Sequence, residues 1–220
     1  LSFRFFKTKF IIPFILNIFK KFGIKLTRNN DIFEDIKSHF SDYNNLVIFD
    51  VGAYTGNSLF AFKKIFPNSF IYSFEPSSDN YLKLKKNSEN LTKYKIFNLG
   101  ISNIDKIKKF NNNSWSMTSS FVDLNKHGSK KFYDKRFKYL GTNHTKNISL
   151  IDSISIDTFL KRENISNVDI LKIDTQGHEK NVLQGAKRSL KENKINAIMI
   201  EVILDDYYEN QLNISDIENL

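Results

Sequence analysis

The chain has 220 residues, of which 40% are hydrophobic and 26% are charged. This composition excludes a wholly disordered chain, and the absence of cysteine excludes a disulfide scaffold, a thiolate zinc site and a cysteine nucleophile. The formal net charge of +9 leaves two interpretations open. The surface either binds nucleic acid, anionic lipid or a polyanionic substrate, or carries dispersed basic residues with no specific partner.

Residues 1–30 form a basic and apolar N-terminal appendage that we expect to be helical. Its apolar stretch, residues 10–19, is shorter than the ~20 residues that a bilayer-spanning helix needs. Residues 1–26 either lie on an anionic membrane as an amphipathic helix or pack on the same domain or on a second subunit. We expect a cytoplasmic protein, with peripheral contact at the inner face of a membrane as one role for this segment.

Residues 31–220 are expected to form one domain with alternating helices and strands. Apolar residues at helical spacing predict helices near 32–40, 59–66, 78–87, 158–161 and 182–190, the third capped by Ser78. Short apolar runs predict strands at 46–51, 70–74, 95–99, 169–174 and 195–203. The alternation predicts an α/β fold with a mostly parallel sheet and helices on both faces.

Residues 104–147 are polar, rich in Asn and Lys, and without clear periodicity. We interpret them as an insertion of loops and short strands. Their aromatic side chains could shape an acceptor pocket or fill the core of a small subdomain, and both interpretations stay open: Trp115, Phe121, Phe132, Tyr133, Phe137 and Tyr139.

The ends of the predicted strands carry the candidate site, because an open α/β sheet binds its ligand at the carboxyl ends of its strands. Asp50 ends the first strand, and Gly52 and Gly56 follow it in a turn that lets the backbone approach a ligand closely. A carboxylate at this place suits a ligand with an ammonium group. Glu75 ends the second strand 19 residues after Gly56 (75 − 56), a spacing that suits a ribose diol.

The strand that ends near residue 173 is followed by a polar segment with Asp174, His178 and Glu179. The acids could receive a proton, and His178 titrates near neutrality when unperturbed. Helix capping would account for the two acids, although not for His178. No His-x-x-x-His pair or clustered carboxylate set is present, so we expect no metal site.

Taken together, these segments resemble class I S-adenosylmethionine (SAM) methyltransferases, and more closely the FkbM family. The similar segments, in family order, are FDVGAYTG, FEP, NLGIS, SIDTFL, VDILKIDTQGHEKNVLQGA and IMIEV. The long segment that contains KIDTQGHE is the most specific of them. The resemblance implies a Rossmann-like sheet, SAM as cofactor, and methyl transfer to oxygen, often on sugars, lipids or secondary metabolites.

The resemblance also implies roles for individual residues. The turn around the methionine part of SAM would contain Asp50, Gly52, Tyr54, Gly56 and Asn57, and Glu75 would hold the ribose hydroxyls. Gly100 and Ile101 would lie beside the adenine. The segment from Asp174 to Glu179 would face the methyl group and the acceptor, with His178 or Asp174 as the base.

Class I methyltransferases usually end with an antiparallel strand pair, and only 18 residues follow Val202 (220 − 202). We therefore expect this pair to be missing, and the first residue, Leu1, suggests a piece of a longer reading frame. Two alternative functions stay open: methylation of RNA ribose, and a cofactor-binding subunit without catalysis. Base methylation is disfavoured, because the chain has neither cysteine nor an Asn-Pro-Pro-Tyr motif. The expected partner is a small-molecule or glycan acceptor.

Overall fold

The computed structural model describes residues 32–40, 44–125, 145–203, 206–213 and 216. The predicted appendage, residues 1–30, lies outside the described residues. The helices and strands are, in chain order, α1 (Ile32–His39), β1 (Val47–Val51), α2 (Asn57–Ile65), β2 (Phe70–Phe74), α3 (Ser78–Asn87), β3 (Tyr94–Phe97), β4 (Gly100–Ile101), β5 (Lys106–Asn113), a 3₁₀ turn (Ser116–Thr118), β6 (Thr145–Ile154), α4 (Ile156–Arg162), β7 (Val168–Ile173), α5 (Glu179–Gly185), α6 (Lys187–Lys191) and β8 (Ile195–Ile200).

Five parallel strands form the main sheet in the order β3-β2-β1-β7-β8. The chain runs outward from β1 to β3 and then returns to place β7 on the other side of β1. The order therefore reverses beside β1, and the carboxyl ends of β1 and β7 lie at the reversal, where open α/β sheets bind ligands. The predicted Rossmann-like parallel sheet is confirmed.

Helices cover both faces of this sheet because successive residues of a strand point to opposite faces, and the central strands are apolar on both. Phe49 and Val51 of β1 pack with Phe159 of α4 and with the apolar residues of α5. Ile48 of the same strand packs on the other face, with α1, α2 and α3. Residues 48–51 of β1 and all six residues of β7 are buried. The loops that form the cavity edge therefore extend from the closely packed centre of the sheet.

The described part of residues 104–147 contains a strand, β5, that is longer than the predicted short strands. The eight-residue β5 pairs in antiparallel fashion with the ten-residue β6, and β4 adds to β6 in parallel, which gives a second sheet of three strands. Strand and loops agree in kind with the prediction, but the length of β5 was not predicted, because Asn and Lys have low strand propensity, whereas Phe110 and its β6 neighbour Ile151 are buried by tertiary packing. Residues 126–144 lie outside the described residues.

Two helix boundaries also differ from the prediction. Ser77, and not Ser78, caps α3, because its hydroxyl accepts a hydrogen bond from the Asn80 N–H. The helix predicted over residues 182–190 is divided into α5 and α6, which meet at the buried Ala186. Within the part of the chain that the structure describes, no helix is both long and apolar enough to cross a membrane.

Candidate active site

A cavity of about 350 Å³ opens at the carboxyl ends of β1, β2, β7 and β8. The size is within the range of about 300–1,000 Å³ that is common for small-molecule sites. Six of the residues predicted for the site line it, namely Gly52, Tyr54, Asn57, Glu75, Ile101 and Asp174. The other five predicted residues are not part of its lining, namely Asp50, Gly56, Gly100, His178 and Glu179.

The turn after β1 brings backbone to the edge of the cavity. Gly52 has a φ of 77°, and a Cβ atom on it would lie 1.9 Å from the carbonyl oxygen of Asp174. Only glycine fits this close approach between the ends of β1 and β7. Tyr54 also has a positive φ, 51°, which is uncommon for a residue with a side chain. Such conformations are frequent at binding sites, where the surrounding structure imposes them.

Glu75 lies beside this turn, as the spacing between Gly56 and Glu75 predicted. Its carboxyl group accepts hydrogen bonds from the backbone N–H groups of Tyr54 (2.8 Å) and Ser77 (2.9 Å). Burial raises the pKa of Glu75 to about 7, although these two hydrogen bonds act in the opposite direction. The Asn80 side chain also forms a hydrogen bond with Glu75. A carboxylate can accept about four hydrogen bonds, so the group keeps capacity for a ligand hydroxyl.

Asp50 does not face the cavity, contrary to the expectation that it would meet an ammonium group of the ligand. Its side chain is fully buried, accepts a hydrogen bond from the Ser58 hydroxyl (2.6 Å), and forms an ion pair with Lys172 Nζ (3.1 Å). Asp50 therefore pairs with an ammonium group of the protein, that of Lys172, in place of the expected ammonium group of a ligand. Lys172 lines the cavity and had not been recognised from the sequence, where it stands within an apolar run.

Lys172 connects the ends of β1 and β7. Its ammonium group donates to the carbonyl oxygen of Gly52 (2.7 Å) and lies 3.8 Å from Asp174 Oδ2. Burial alone would lower the pKa of Lys172, but Asp50 and Asp174 raise it above its ordinary value. Lys172 thus stays charged and fixes the glycine turn relative to Asp174.

A second group of polar side chains lines the cavity at the ends of β7 and β8. The amide nitrogen of Gln176 donates to Asp174 Oδ1 (2.8 Å) and to Glu201 Oε2 (2.9 Å). Gln176 has a φ of 55°, so this side of the cavity also holds a strained residue. Burial, together with the neighbouring Asp174, raises the pKa of Glu201 to about 8. Glu201 had not been singled out from the sequence, although it is part of the segment IMIEV.

Glu179 turns back onto the loop that carries Asp174 and Gln176. Its carboxyl oxygen Oε1 accepts hydrogen bonds from the N–H and the hydroxyl of Thr175 and from the Gly177 N–H. Its side chain is buried and contributes nothing to the cavity lining. This geometry favours the capping interpretation for Glu179 over a catalytic one.

His178 lies one layer behind the cavity. Its Nε2 is 3.1 Å from the Ser102 hydroxyl, and its ring packs 5.1 Å from the ring of Phe121, which itself lines the cavity. Burial and the positive charge of Lys108 lower the pKa of His178 to about 3. A neutral, enclosed imidazole is placed to support Phe121, and Asp174 is the better placed of the two predicted bases.

The second sheet and the 3₁₀ turn supply the remaining wall. Phe121 and Ser116 line the cavity, and the hydroxyl groups of Ser116 and Tyr54 are 3.1 Å apart. A Cβ atom on Gly100 would lie 2.3 Å from the Phe121 ring, so Gly100 makes room for that ring behind the wall. Trp115 is not part of the lining, and four of the aromatic residues predicted for an acceptor pocket lie outside the described residues: Phe132, Tyr133, Phe137 and Tyr139.

The described residues contain no group of three or more His, Cys, Asp or Glu side chains that could hold a metal ion. The arrangement instead offers hydrogen-bond acceptors on two sides of one cavity, with aromatic and apolar residues between them. Such a site can hold a ligand with hydroxyl and ammonium groups and can accept a proton from it.

The comparison with known families supplies the identity. The model of the methyltransferase FkbM domain matches residues 50–220. The chain belongs to the FkbM methyltransferase family. The match begins at Asp50 and includes the glycine turn, Glu75, Asp174 and Glu201, so the family domain contains the whole cavity edge formed by the main sheet.

Other comparisons add little to the family assignment. No curated protein matches the chain. The processed form of threonine deaminase isoform 2 from Solanum lycopersicum, a solved structure, is similar to 93% of this chain with 17% identity and a TM-score of 0.22. The chain spans about half (51%) of that protein. The assignment to the family therefore rests on the family model.

Proposed function

We propose that this FkbM methyltransferase transfers a methyl group from SAM to an oxygen atom of a small acceptor. The observation that carries the proposal is the contact between Glu75 and the Tyr54 N–H, because it brings the glycine turn and an acidic group together at one edge of the cavity (2.8 Å). A turn that exposes backbone and a carboxylate with free acceptor capacity are the groups that a nucleoside with a ribose diol requires.

The residues of the cavity fit SAM. Glu75 would accept hydrogen bonds from the ribose hydroxyls, Gly52 and Tyr54 would border the methionine part, and Ile101 would pack against the adenine. Of the four Asp, Glu and Lys side chains that line the described cavity, three are acids. A bound sulfonium and ammonium group would favour their charged forms and oppose the burial that raises the pKa values of Glu75 and Glu201. When bound, SAM supplies a methyl group that is already activated for displacement by an oxygen nucleophile.

The task of the protein is then to align the acceptor and to remove its proton. Asp174 is the base that the geometry favours, because its carboxylate reaches the cavity and Gln176 orients it through a hydrogen bond of 2.8 Å. Lys172 holds Asp174 in position relative to the glycine turn. His178 and Glu179 would act through the loop that they support.

A sugar or a glycan-linked or lipid-linked metabolite is the acceptor that we propose. The aromatic ring of Phe121 offers a face for the C–H groups of a sugar, and Ser116, Asp174 and Glu201 offer hydrogen bonds to its hydroxyl groups. Contact of residues 1–26 with the inner face of a membrane stays a separate prediction, since these residues lie outside the described ones.

The test is a calorimetric titration of the purified chain with SAM and with S-adenosylhomocysteine. We expect binding at micromolar Kd, and we expect Glu75→Gln to weaken it by about tenfold or more, because a hydrogen bond to a charged group contributes on the order of 1.5–3 kcal/mol. Glu89→Gln is the matched control, since Glu89 is exposed and lies outside the cavity.

A folded chain that binds neither compound would contradict the proposal. Equal affinity of the Glu75→Gln and Glu89→Gln variants would contradict the role of Glu75 while leaving the cofactor in place. Circular dichroism of each variant establishes that a loss of affinity is not a loss of fold.

A further inference from the structure

The apolar residues that line the cavity fall into two groups on opposite faces of the main sheet. Phe74, Leu99 and Ile101 pack with the core on the face that α4 and α5 cover. Phe33 of α1 and Met199 of β8 pack with the core on the face that α1 and α2 cover. The cavity therefore extends across the carboxyl edge of the sheet and has an apolar wall on each side.

The wall on the α1 side is held in place by the core but is not enclosed by it. Ile32 lines the cavity next to Phe33, and the Phe33 ring packs 5.1 Å from the ring of the buried Phe62. The side chains of Ile32, Phe33 and Met199 are each half-buried. Part of their apolar surface is therefore accessible within the cavity, and a ligand that covered this surface would gain binding free energy.

The proposed position of SAM leaves the α1 wall to the acceptor. The adenosine part of SAM is assigned to Glu75 and Ile101, and Ile101 belongs to the opposite wall. The methionine part ends in charged groups, which an apolar wall does not suit. Met199 lies on β8, three places from β2 in the sheet, and only two residues before Glu201, which lines the cavity together with Asp174. The α1 wall thus continues from the polar end where the reacting hydroxyl is expected.

We propose that Ile32, Phe33 and Met199 bind an aliphatic arm of the acceptor, so that the substrates of this site are amphiphilic. The hydroxyl-bearing part of such a substrate meets Asp174, and its aliphatic chain lies along the α1 wall. This inference rests on the proposed function. It makes the three apolar residues specificity-determining, and among the acceptors proposed above it selects a lipid-linked one over a free sugar.

The experiment uses the full chain loaded with S-adenosylhomocysteine and three probes that differ only in the apolar arm: methyl, hexyl and octyl β-glucoside. All are used below the concentration at which octyl glucoside forms micelles. Saturation-transfer NMR titrations give the affinity of each probe and show which of its protons contact the protein. We expect affinity to rise along the series, by about tenfold or more from methyl to octyl, because each methylene that leaves water adds to the binding free energy.

The double variant Ile32→Thr with Met199→Gln makes the α1 wall polar at nearly constant side-chain size, and it retains Phe33, whose ring packs on Phe62. The octyl-to-methyl affinity ratio should fall to about threefold or less, with the affinity for methyl glucoside unchanged. Ile32→Thr alone gives a smaller fall and serves if circular dichroism shows that the double variant does not fold.

Leu82→Gln is the matched control, because Leu82 in α3 is 61% exposed and lies outside the cavity lining. It should keep the wild-type ratio. Three results would overturn the inference: no preference for octyl over methyl glucoside, an unchanged ratio in the folded wall variant, or an equal fall in Leu82→Gln. Titration of the wild-type chain with SAM separates the two levels of the argument. If SAM binds and the octyl preference fails, only this inference fails; if SAM does not bind, the proposed function itself fails.

Discussion

On the β1–β2 side of the cavity, backbone N–H groups hold a single carboxyl group, whereas on the β7–β8 side one side-chain amide holds two. Glu75 is fixed by the N–H groups of Tyr54 and Ser77. Asp174 and Glu201 are fixed by Gln176. The position of the Glu75 carboxyl group thus depends mainly on the path of the backbone, whereas the positions of the Asp174 and Glu201 carboxyl groups depend on side chains, those of Gln176 and, for Asp174, also Lys172.

This difference indicates which side of the cavity a single side-chain substitution can alter. A backbone-held group tolerates many neighbouring side chains, provided that the turn keeps its conformation, and it suits a cofactor that is constant. A side-chain-held pair changes with one substitution, and it suits an acceptor that varies. Lys172 joins the two sides, because it contacts both the Gly52 carbonyl and Asp174.

The largest effect is expected from Lys172→Met, which would break the connection between the two sides. The change leaves Asp50 buried without its partner, and removal of one member of a buried ion pair costs about 3–5 kcal/mol. We expect the free energy of unfolding, measured by urea denaturation, to fall by this amount. SAM affinity should fall as well, since the Gly52 carbonyl loses its donor.

The double variant Lys172→Met with Asp50→Asn sharpens this prediction. It removes the uncompensated charge, so it should recover at least half of the lost stability without recovering SAM affinity. If Lys172→Met alone cost less than about 1 kcal/mol, the ion pair would not be what fixes the two sides.

A smaller loss in the free energy of unfolding is expected from Gly52→Ala, which tests the backbone contact between the same two sides of the cavity. The new Cβ would lie 1.9 Å from the Asp174 carbonyl oxygen at a φ of 77°, so the turn must move. We expect a loss of about 2–4 kcal/mol in the free energy of unfolding, together with weaker SAM binding. Ala61→Gly in α2 is the control: it should cost about 0.5–1 kcal/mol and leave SAM affinity unchanged. Wild-type SAM affinity in Gly52→Ala would contradict the prediction.

The sequence predicted the backbone-held side well because its determinants are local. The apolar runs located β1 and β2, and the spacing between Gly56 and Glu75 placed the acid beside the turn, where the structure has it. Asp50 shows the limit of this reasoning. Its position at the strand end was correct, but its partner comes from β7, and no local pattern in the sequence connects Asp50 to Lys172.

The side-chain-held side was predicted less completely for the same physical reason. Glu201 meets Gln176 only through the pairing of β7 with β8, and the wall at Phe121 exists only because β5 and β6 pair across a long connection. His178 attracted attention as a titratable residue, but burial, which depends on the tertiary structure, decides its chemistry.

The smallest effect at neutral pH is expected from His178→Gln, and the variant tests whether the β7–β8 side contains a histidine base. Burial holds the pKa of His178 at about 3 in the folded chain, against 6.5 for an exposed histidine. The unfolded chain therefore binds a proton below pH 6.5 that the folded chain does not bind until about pH 3. Wild-type stability should fall with decreasing pH across this window, by at most about 1.4 kcal/mol per pH unit from this residue, and His178→Gln should remove that slope. At neutral pH the substitution changes no protonation equilibrium.

The raised pKa values of Glu75 and Glu201 act in the opposite sense, since they reduce stability as pH rises from 4.5. The variant must therefore be compared with wild type at each pH, with His39→Gln as the control, because the His39 ring lies at the surface. NMR titration of the imidazole gives an independent measurement. If the His178 ring titrates near pH 6.5, His178 is again a candidate base, and the β7–β8 side has two possible proton acceptors. If the ring shows no titration above about pH 4, proton removal is left to Asp174.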